Sequence, residues 1–165
     1  MTLLATALRH KAWADLELLG AIGRLDDTSH AKARHQAIRL MNHIYVVDRI
    51  FIAHLRGEPH GYSATNTEET PTLEALTHSM GEAHAALLVL CNDLTDEALD
   101  TPRSFTFTDG DRGTMSAAEM LLHLVSHGGY HRGAVGRILA ECDLAPPRDL
   151  LTRFLHSSEP ERRGH

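Results

Sequence analysis

The sequence has few cysteines and no excess of basic residues, and both shortages exclude classes of protein. Among 165 residues only Cys91 and Cys142 are cysteines, and their wide separation matches neither a disulfide framework nor a cysteine-rich zinc site. So low a cysteine content is typical of a reducing compartment. The net charge of −6 disfavours contact with phosphate backbones and anionic lipids. We therefore expect partners that are neither nucleic acids nor membranes.

Long apolar runs are also missing. No stretch approaches the roughly 20 apolar residues that span a bilayer. Residues 1–12 are interrupted by Arg9, His10 and Lys11, which is unlike a secretory signal peptide. These features predict a cytoplasmic location. The length and the apolar fraction of 42% fit a single domain over residues 1–156, followed by a polar tail at 157–165.

The sequence does contain clear helical periodicity. Apolar residues recur at steps of three and four over four segments, at about 3–25, 31–55, 71–92 and 117–142. The third helix is predicted to begin at Thr70-Pro71, and the fourth at Ser116, with Glu119 completing a capping box. A short last helix is expected over 148–156. These patterns predict an all-α fold.

One segment departs from the helical pattern. Residues 103–116 begin with alternating side chains, and Asp109-Gly110 within them is a strong signal for a two-residue hairpin turn. We therefore expect a small β-hairpin between the third and fourth helices, covering one end of them. A disordered connection is the alternative.

Three of the 13 histidines, His123, His127 and His131, repeat at intervals of four. Residues at this spacing lie on one face of a helix. His127 and His131 also fall on a mainly apolar stripe, so their rings should point inward, where they need a polar partner or a metal ion. The metalloprotease motif H-E-x-x-H is not present, because Gly128 stands where that motif has its general base.

A catalytic zinc ion usually takes three protein ligands, so another helix must supply the third. His43 is the best candidate, because it shares a helix face with Leu40 and Val47. A hydrogen-bonded core histidine fits the same position equally well, and a surface residue fits it less well. His123 is the other candidate, but the helix drifts by about 80° over the two turns to His131. We therefore expect His123 to support the ligands or to lie in the core.

Several polar residues near these positions are predicted to have no part in the site. His78 and His84 are expected to be solvated, because their neighbours are polar or small. Tyr130 and Arg132 should point away from the core face, so neither is assigned a catalytic role. A di-iron bundle is disfavoured, because no E-x-x-H lies on a core face and Asp48, five residues after His43, turns away from that histidine.

Three segments resemble the DinB/YfiT-like family. They are KAWAD at 11–15, NHIYVVDRIF at 42–51 and LLHLVSHGGYHRG at 121–133. The resemblance covers most of the chain and implies a four-helix bundle with up-up-down-down topology, frequently a homodimer. It also implies a divalent metal ion held by three histidines, which map here onto His43, His127 and His131. Characterised members are thiol-dependent: transferases that use bacillithiol or similar low-molecular-weight thiols, and a mycothiol-dependent isomerase.

Three functional interpretations remain at the level of sequence. The first is a metal-dependent transferase, in which an ion (zinc or nickel foremost) binds a low-molecular-weight thiol as thiolate for attack on an electrophile. The second is a non-catalytic, metal-binding or stress-associated dimer that serves as a scaffold. The third is a structural bundle whose histidines are hydrogen-bonded core residues.

Overall fold

Residues 2–164, the part described by the computed structural model, form six α-helices and one β-hairpin. The helices are α1 (Leu3–Ile22), α2 (Ala31–Arg56), α3 (Leu73–Asp93), α4 (Asp96–Asp100), α5 (Ala117–Glu141) and α6 (Leu151–Ser158). The strands are β1 (Pro102–Thr106) and β2 (Arg112–Ser116), and a 3-10 turn at Pro160–Arg162 follows α6. None of these helices combines the length and hydropathy needed to cross a membrane.

Short polar side chains cap the long helices. The predicted capping box of α5 is confirmed: the Ser116 hydroxyl accepts a hydrogen bond from the Glu119 N–H, and the Glu119 carboxylate accepts one from the Ser116 N–H. α3 begins two residues later than predicted, because Thr72 rather than Thr70 is its N-cap. α6 also begins later than predicted and continues to Ser158, within the segment predicted to be a polar tail.

Two apolar clusters fill the interior, one toward each end of the four long helices. α1 and α2 each pack against both α3 and α5. The first cluster joins the starts of α1 and α5 to the ends of α2 and α3, and it includes Leu8 and Phe51. The second joins the ends of α1 and α5 to the starts of α2 and α3, and it includes Ile22 and Met41.

The composition of these clusters contradicts the predicted up-up-down-down topology. α1 and α5 run in one direction and α2 and α3 in the other, which is an up-down-down-up order. The physical reason lies in residues 57–72, which connect α2 to α3. They run back along α2 instead of crossing the end of the bundle, since Thr65 and Thr67 lie beside His43 and Arg39. α3 therefore starts at the same end of the bundle as α2.

The predicted β-hairpin is confirmed, with a longer turn than expected. β1 and β2 pair antiparallel along their whole length. The turn spans 107–111 instead of two residues: the Phe107 N–H donates to the Asp111 carbonyl at 2.8 Å, and Gly110 adopts a positive φ of 95°. Phe105 packs into the first apolar cluster, which holds the hairpin against the end of the bundle where α5 begins.

Candidate metal centre

The structure brings together the three histidines onto which the family resemblance maps the metal ligands. α2 supplies His43 and α5 supplies His127 and His131, each half-buried, with one ring nitrogen of each lying within 4.8 Å of the others. The Nε2 atoms of His43 and His127 are 3.0 Å apart. Two nitrogens bound to a tetrahedral zinc ion at about 2.0–2.1 Å would be separated by about 3.3 Å. The nitrogens of His43 and His127 therefore lie close to the spacing of two ligands of one ion, and a nitrogen of His131 lies near enough to be the third.

The ring of His43 is oriented by a backbone carbonyl. His43 Nδ1 lies 2.7 Å from the carbonyl oxygen of Thr65, which can only accept, so Nδ1 carries the proton. In the neutral ring, Nε2 then presents its lone pair toward His127. A hydrogen bond of this kind behind a ligand is the usual way in which proteins fix the tautomer of a metal-binding histidine.

Four polar side chains attach the segment that contains Thr65 to α2. Arg39 donates to the Thr67 carbonyl at 2.6 Å, and the buried Asn42 donates to both Asn66 Oδ1 at 2.5 Å and Thr67 Oγ1 at 2.6 Å. Asn66 in turn donates to the Arg39 carbonyl at 3.0 Å. These hydrogen bonds position the carbonyl that orients His43. The sequence did not predict these contacts, because polar side chains that bond to a loop have no periodic pattern.

The electrostatics of the site favour neutral imidazoles. Burial, followed by the proximity of His43 and His131, lowers the pKa of His127 to about 3. Burial and then His43 also lower the pKa of His131. The neutral ring is the form that binds a metal ion. His127 Nδ1 is buried without a hydrogen-bond partner among the described residues, so the His127 ring is held less firmly than that of His43.

His123 lies next to the three histidines without joining them. Its ring centroid is 5.4 Å from that of His127 and 5.0 Å from that of Phe51, and burial lowers its pKa. In the described residues, the group that could hold an ion does not include it. This agrees with the drift of the helix between His123 and His131.

A cavity of about 320 Å³ opens beside two of the three histidines. Its lining comes from α2, α5, the β-hairpin and residue 65. The lining residues are His43, Val47, Ile50, Phe51, His54, Thr65, Phe107, Thr108, Met115, His123 and His127. The hairpin, which the sequence placed only as a cover for one end of the bundle, thus forms a wall of this cavity.

A buried network of charges lies behind α5. Lys11 Nζ is 2.9 Å from Asp15 Oδ2 and 2.5 Å from Asp48 Oδ2, and Asp15 also accepts from His84 Nε2 at 2.9 Å and Arg132 Nη1 at 2.8 Å. All five side chains are at most 5% exposed. Two predictions are therefore wrong: His84 is not solvated, and Arg132 does not point away from the interior. A carboxylate with three donors can hold both residues inward, whereas periodicity alone suggests neither.

Mutual attraction favours the charged forms of Lys11 and Asp15, whereas burial raises the pKa of the Asp48 carboxyl above its usual value. Burial alone would lower the pKa of Lys11, but Asp15 and Asp48 raise it above its usual value. Burial would likewise raise the pKa of Asp15, but Lys11, His84 and Arg132 hold it well below the usual range. Asp15, Asp48 and His84 have the spacing of a possible cation site. The Lys11 ammonium already bonds to both carboxylates, so these residues need no metal ion.

The network also explains the glycine beside His127. A Cβ at Gly128 would lie 2.9 Å from Arg132 Nη1 and 3.1 Å from Lys11 Cε. Position 128 is therefore covered by two charged side chains that reach Asp15. The glutamate of a metalloprotease would not fit here, which gives a structural reason for the missing H-E-x-x-H motif.

Comparison with known proteins gives one match. The family model of the DinB family matches residues 1–163, a range that contains the three histidines and the whole charged network. No curated protein and no solved structure matches the chain.

Proposed function

The chain belongs to the DinB family, and from that premise we propose that it is a metal-dependent transferase that uses a low-molecular-weight thiol. One observation carries the proposal. Ring nitrogens of His43, His127 and His131 converge within 4.8 Å beside a cavity large enough for a small molecule. Three ligands of this kind leave a coordination position for a thiol, as catalytic zinc sites do.

The residues of the chain have separate tasks in the proposed reaction. His43, held by the Thr65 carbonyl, and His127 and His131 bind the ion. A divalent ion there, zinc or nickel foremost, would lower the pKa of a bound thiol and hold the thiolate. The sulfur then forms a bond to an electrophilic carbon, whose leaving group departs with the bonding electrons, and the thiol proton passes to solvent. The apolar walls of the cavity exclude water from the electrophile.

The first test is the metal content of the purified protein. We expect close to one divalent ion per chain in the wild type and a negligible amount in His127→Ala. His78→Ala is the matched control, because the side chain of His78 is 78% exposed and far from the three histidines in sequence. A negligible metal content in the wild type would refute the proposal.

The second test separates a transferase from a metal-binding scaffold. The metal-loaded protein is assayed for conjugation of glutathione, bacillithiol and mycothiol to small electrophiles. We expect conjugation with at least one thiol, lost on treatment with a chelator and recovered when the ion is restored. Bound metal with no conjugation by any of these thiols would favour the non-catalytic dimeric scaffold instead.

A further inference from the structure

We propose that the cavity beside the three histidines binds an uncharged molecule with an apolar body about the size of an aromatic ring system. This inference rests on the proposed function, since that molecule would be the electrophile of the transferase. It adds the chemical class of the substrate, which neither the three histidines nor the family assigns.

The absence of charge in the lining is the first argument. None of the eleven residues around the cavity is an aspartate, glutamate, lysine or arginine. The polar groups that line it are four imidazoles and the threonines Thr65 and Thr108. A charged ligand would lose its hydration in this cavity without gaining an ion pair from any lining side chain, and the proposed ion at one edge is the only charge that an anion could meet. A neutral ligand avoids that cost and can still form hydrogen bonds with the imidazoles.

The apolar surface is the second argument, because it comes from two separate elements. α2 contributes Val47, Ile50 and Phe51, while the β-hairpin segment contributes Phe107 and Met115. Two aromatic rings in the lining, Phe51 and Phe107, suit a flat, apolar ligand. The volume of about 320 Å³ lies at the lower end of the roughly 300–1,000 Å³ that is typical of small-molecule sites.

The hairpin has a specific feature that shapes this wall. Gly113 lies opposite Phe105 in the strand register, and a Cβ at Gly113 would come within 2.7 Å of Phe107 and 2.8 Å of Phe105. Both rings therefore lie directly over the glycine. Any larger residue would push Phe107 away from its present position at the edge of the cavity.

The third histidine provides a separate approach for the thiol. His131 does not line the cavity, and its ring is 5.1 Å from that of Tyr130, which is 79% exposed. The group of three histidines thus borders the apolar cavity at His43 and His127, while the half-buried His131 lies outside the cavity lining. A polar thiol on the solvent side and a neutral electrophile in the cavity would meet at the ion.

The experiment compares two fluorescent probes with the same ring skeleton. N-phenyl-1-naphthylamine is neutral, and 1-anilino-8-naphthalenesulfonate carries one negative charge; both are titrated into the metal-loaded protein. We expect the neutral probe to bind at least tenfold more tightly. Equal affinities, or tighter binding of the sulfonate, would overturn the proposal.

Adjacent positions on β2 provide a matched pair of variants. Met115→Trp fills the cavity and should weaken binding of the neutral probe at least tenfold, whereas Thr114→Trp, on the exposed face of the same strand, should leave it within twofold. Phe107→Ala removes a wall at a residue that is already 43% exposed, and should weaken binding severalfold. Undiminished binding in both cavity variants would place the probe elsewhere and overturn the inference.

Metal content is measured on every sample of this series. If Met115→Trp keeps its metal content but no longer binds the probe, the result supports a small-molecule site in the cavity that is separate from the histidines that hold the ion. A wild type without metal that still binds the neutral probe in the cavity would refute the transferase and leave the preference for neutral ligands standing. The two failures are therefore distinguishable.

Discussion

His43 and His127 place their Nε2 atoms 3.0 Å apart, although 84 positions separate them in the sequence. The distance depends on the packing of α2 against α5 and on the Thr65 carbonyl that fixes the His43 ring. Neither the packing of the two helices nor the Thr65 carbonyl supplies a metal ligand. Substitutions away from the rings should therefore change metal affinity while all three candidate ligands remain.

The hydrogen bonds between residues 57–72 and α2 provide the first such substitution. We expect Asn66→Ala to weaken metal binding by about tenfold, as is usual when a partner behind a ligand is lost. Asn66 joins residues 57–72 to Arg39 and Asn42, so its loss should release the Thr65 carbonyl from His43. Affinity is measured by competition with a chromophoric chelator.

The control for this variant is Ser63→Ala in the same loop. Ser63 is exposed, and its substitution should leave metal affinity unchanged. An Asn66→Ala protein that binds metal as tightly as the wild type would show that the loop does not position His43.

The buried network gives a prediction about stability. Lys11→Met removes the ammonium from between Asp15 and Asp48, and Lys11 is the only donor to Asp48 among the described residues. We expect the free energy of unfolding, measured by urea denaturation with a chelator present, to fall by about 3–5 kcal/mol. Arg137→Ala, which breaks an exposed pair with Glu141, should change it by less than about 0.5 kcal/mol.

A double variant tests whether the loss arises from an uncompensated charge. Lys11→Met combined with Asp48→Leu removes both partners and should recover most of the stability lost by Lys11→Met alone. Losses that simply add would mean that packing around Lys11, and not its charge, stabilises the fold.

This network also marks the limit of what periodicity could predict. The four long helices, the capping box and the hairpin follow from local patterns, and the structure confirms them. Lys11 and Asp15 lie on the buried stripe that includes Leu8 and Leu18. Whether a charged residue on such a stripe is buried can be predicted only when its partner of opposite charge is known. That partner can be far away in sequence, as Arg132 is from Asp15.

The helix directions that the family resemblance implied could not be checked from periodicity, for a related reason. Helical periodicity states which face is buried but not which way the helix runs, and residues 57–72 carry no apolar pattern. Their course along α2 is set by hydrogen bonds from Arg39 and Asn42 to Asn66 and Thr67. Contacts between polar side chains and a loop have no period in the sequence. Neither the helix directions nor the hydrogen bond from His43 to the Thr65 carbonyl could therefore be inferred from the sequence.

Two glycines of α5 should respond in opposite ways to alanine. Gly133 is exposed, and a Cβ added there would meet no atom within 4 Å, so alanine should stabilise the protein by about 0.5–1 kcal/mol through helix propensity. At Gly128, the new Cβ would crowd Arg132 and Lys11, so we expect a net loss of about 1–3 kcal/mol. Thermal and urea unfolding of both variants measure the difference. Stabilisation by Gly128→Ala would contradict the close packing of Arg132 and Lys11 against position 128.

Acidification of the metal-free protein should lower its stability through His127. In the unfolded chain this residue takes up a proton near pH 6.5, whereas burial, then His43 and His131, delay protonation in the folded protein to about pH 3. Between these values the unfolded state binds more protons, so the free energy of unfolding falls as the pH is lowered from about 6.5 toward 3. We expect the Tm measured with a chelator to drop between pH 7.5 and pH 5, and to drop less in His127→Gln, which cannot be protonated. His35→Gln, at an exposed position, should follow the wild type. The same drop in wild type and His127→Gln would mean that this imidazole is protonated as readily in the folded protein as in the unfolded chain.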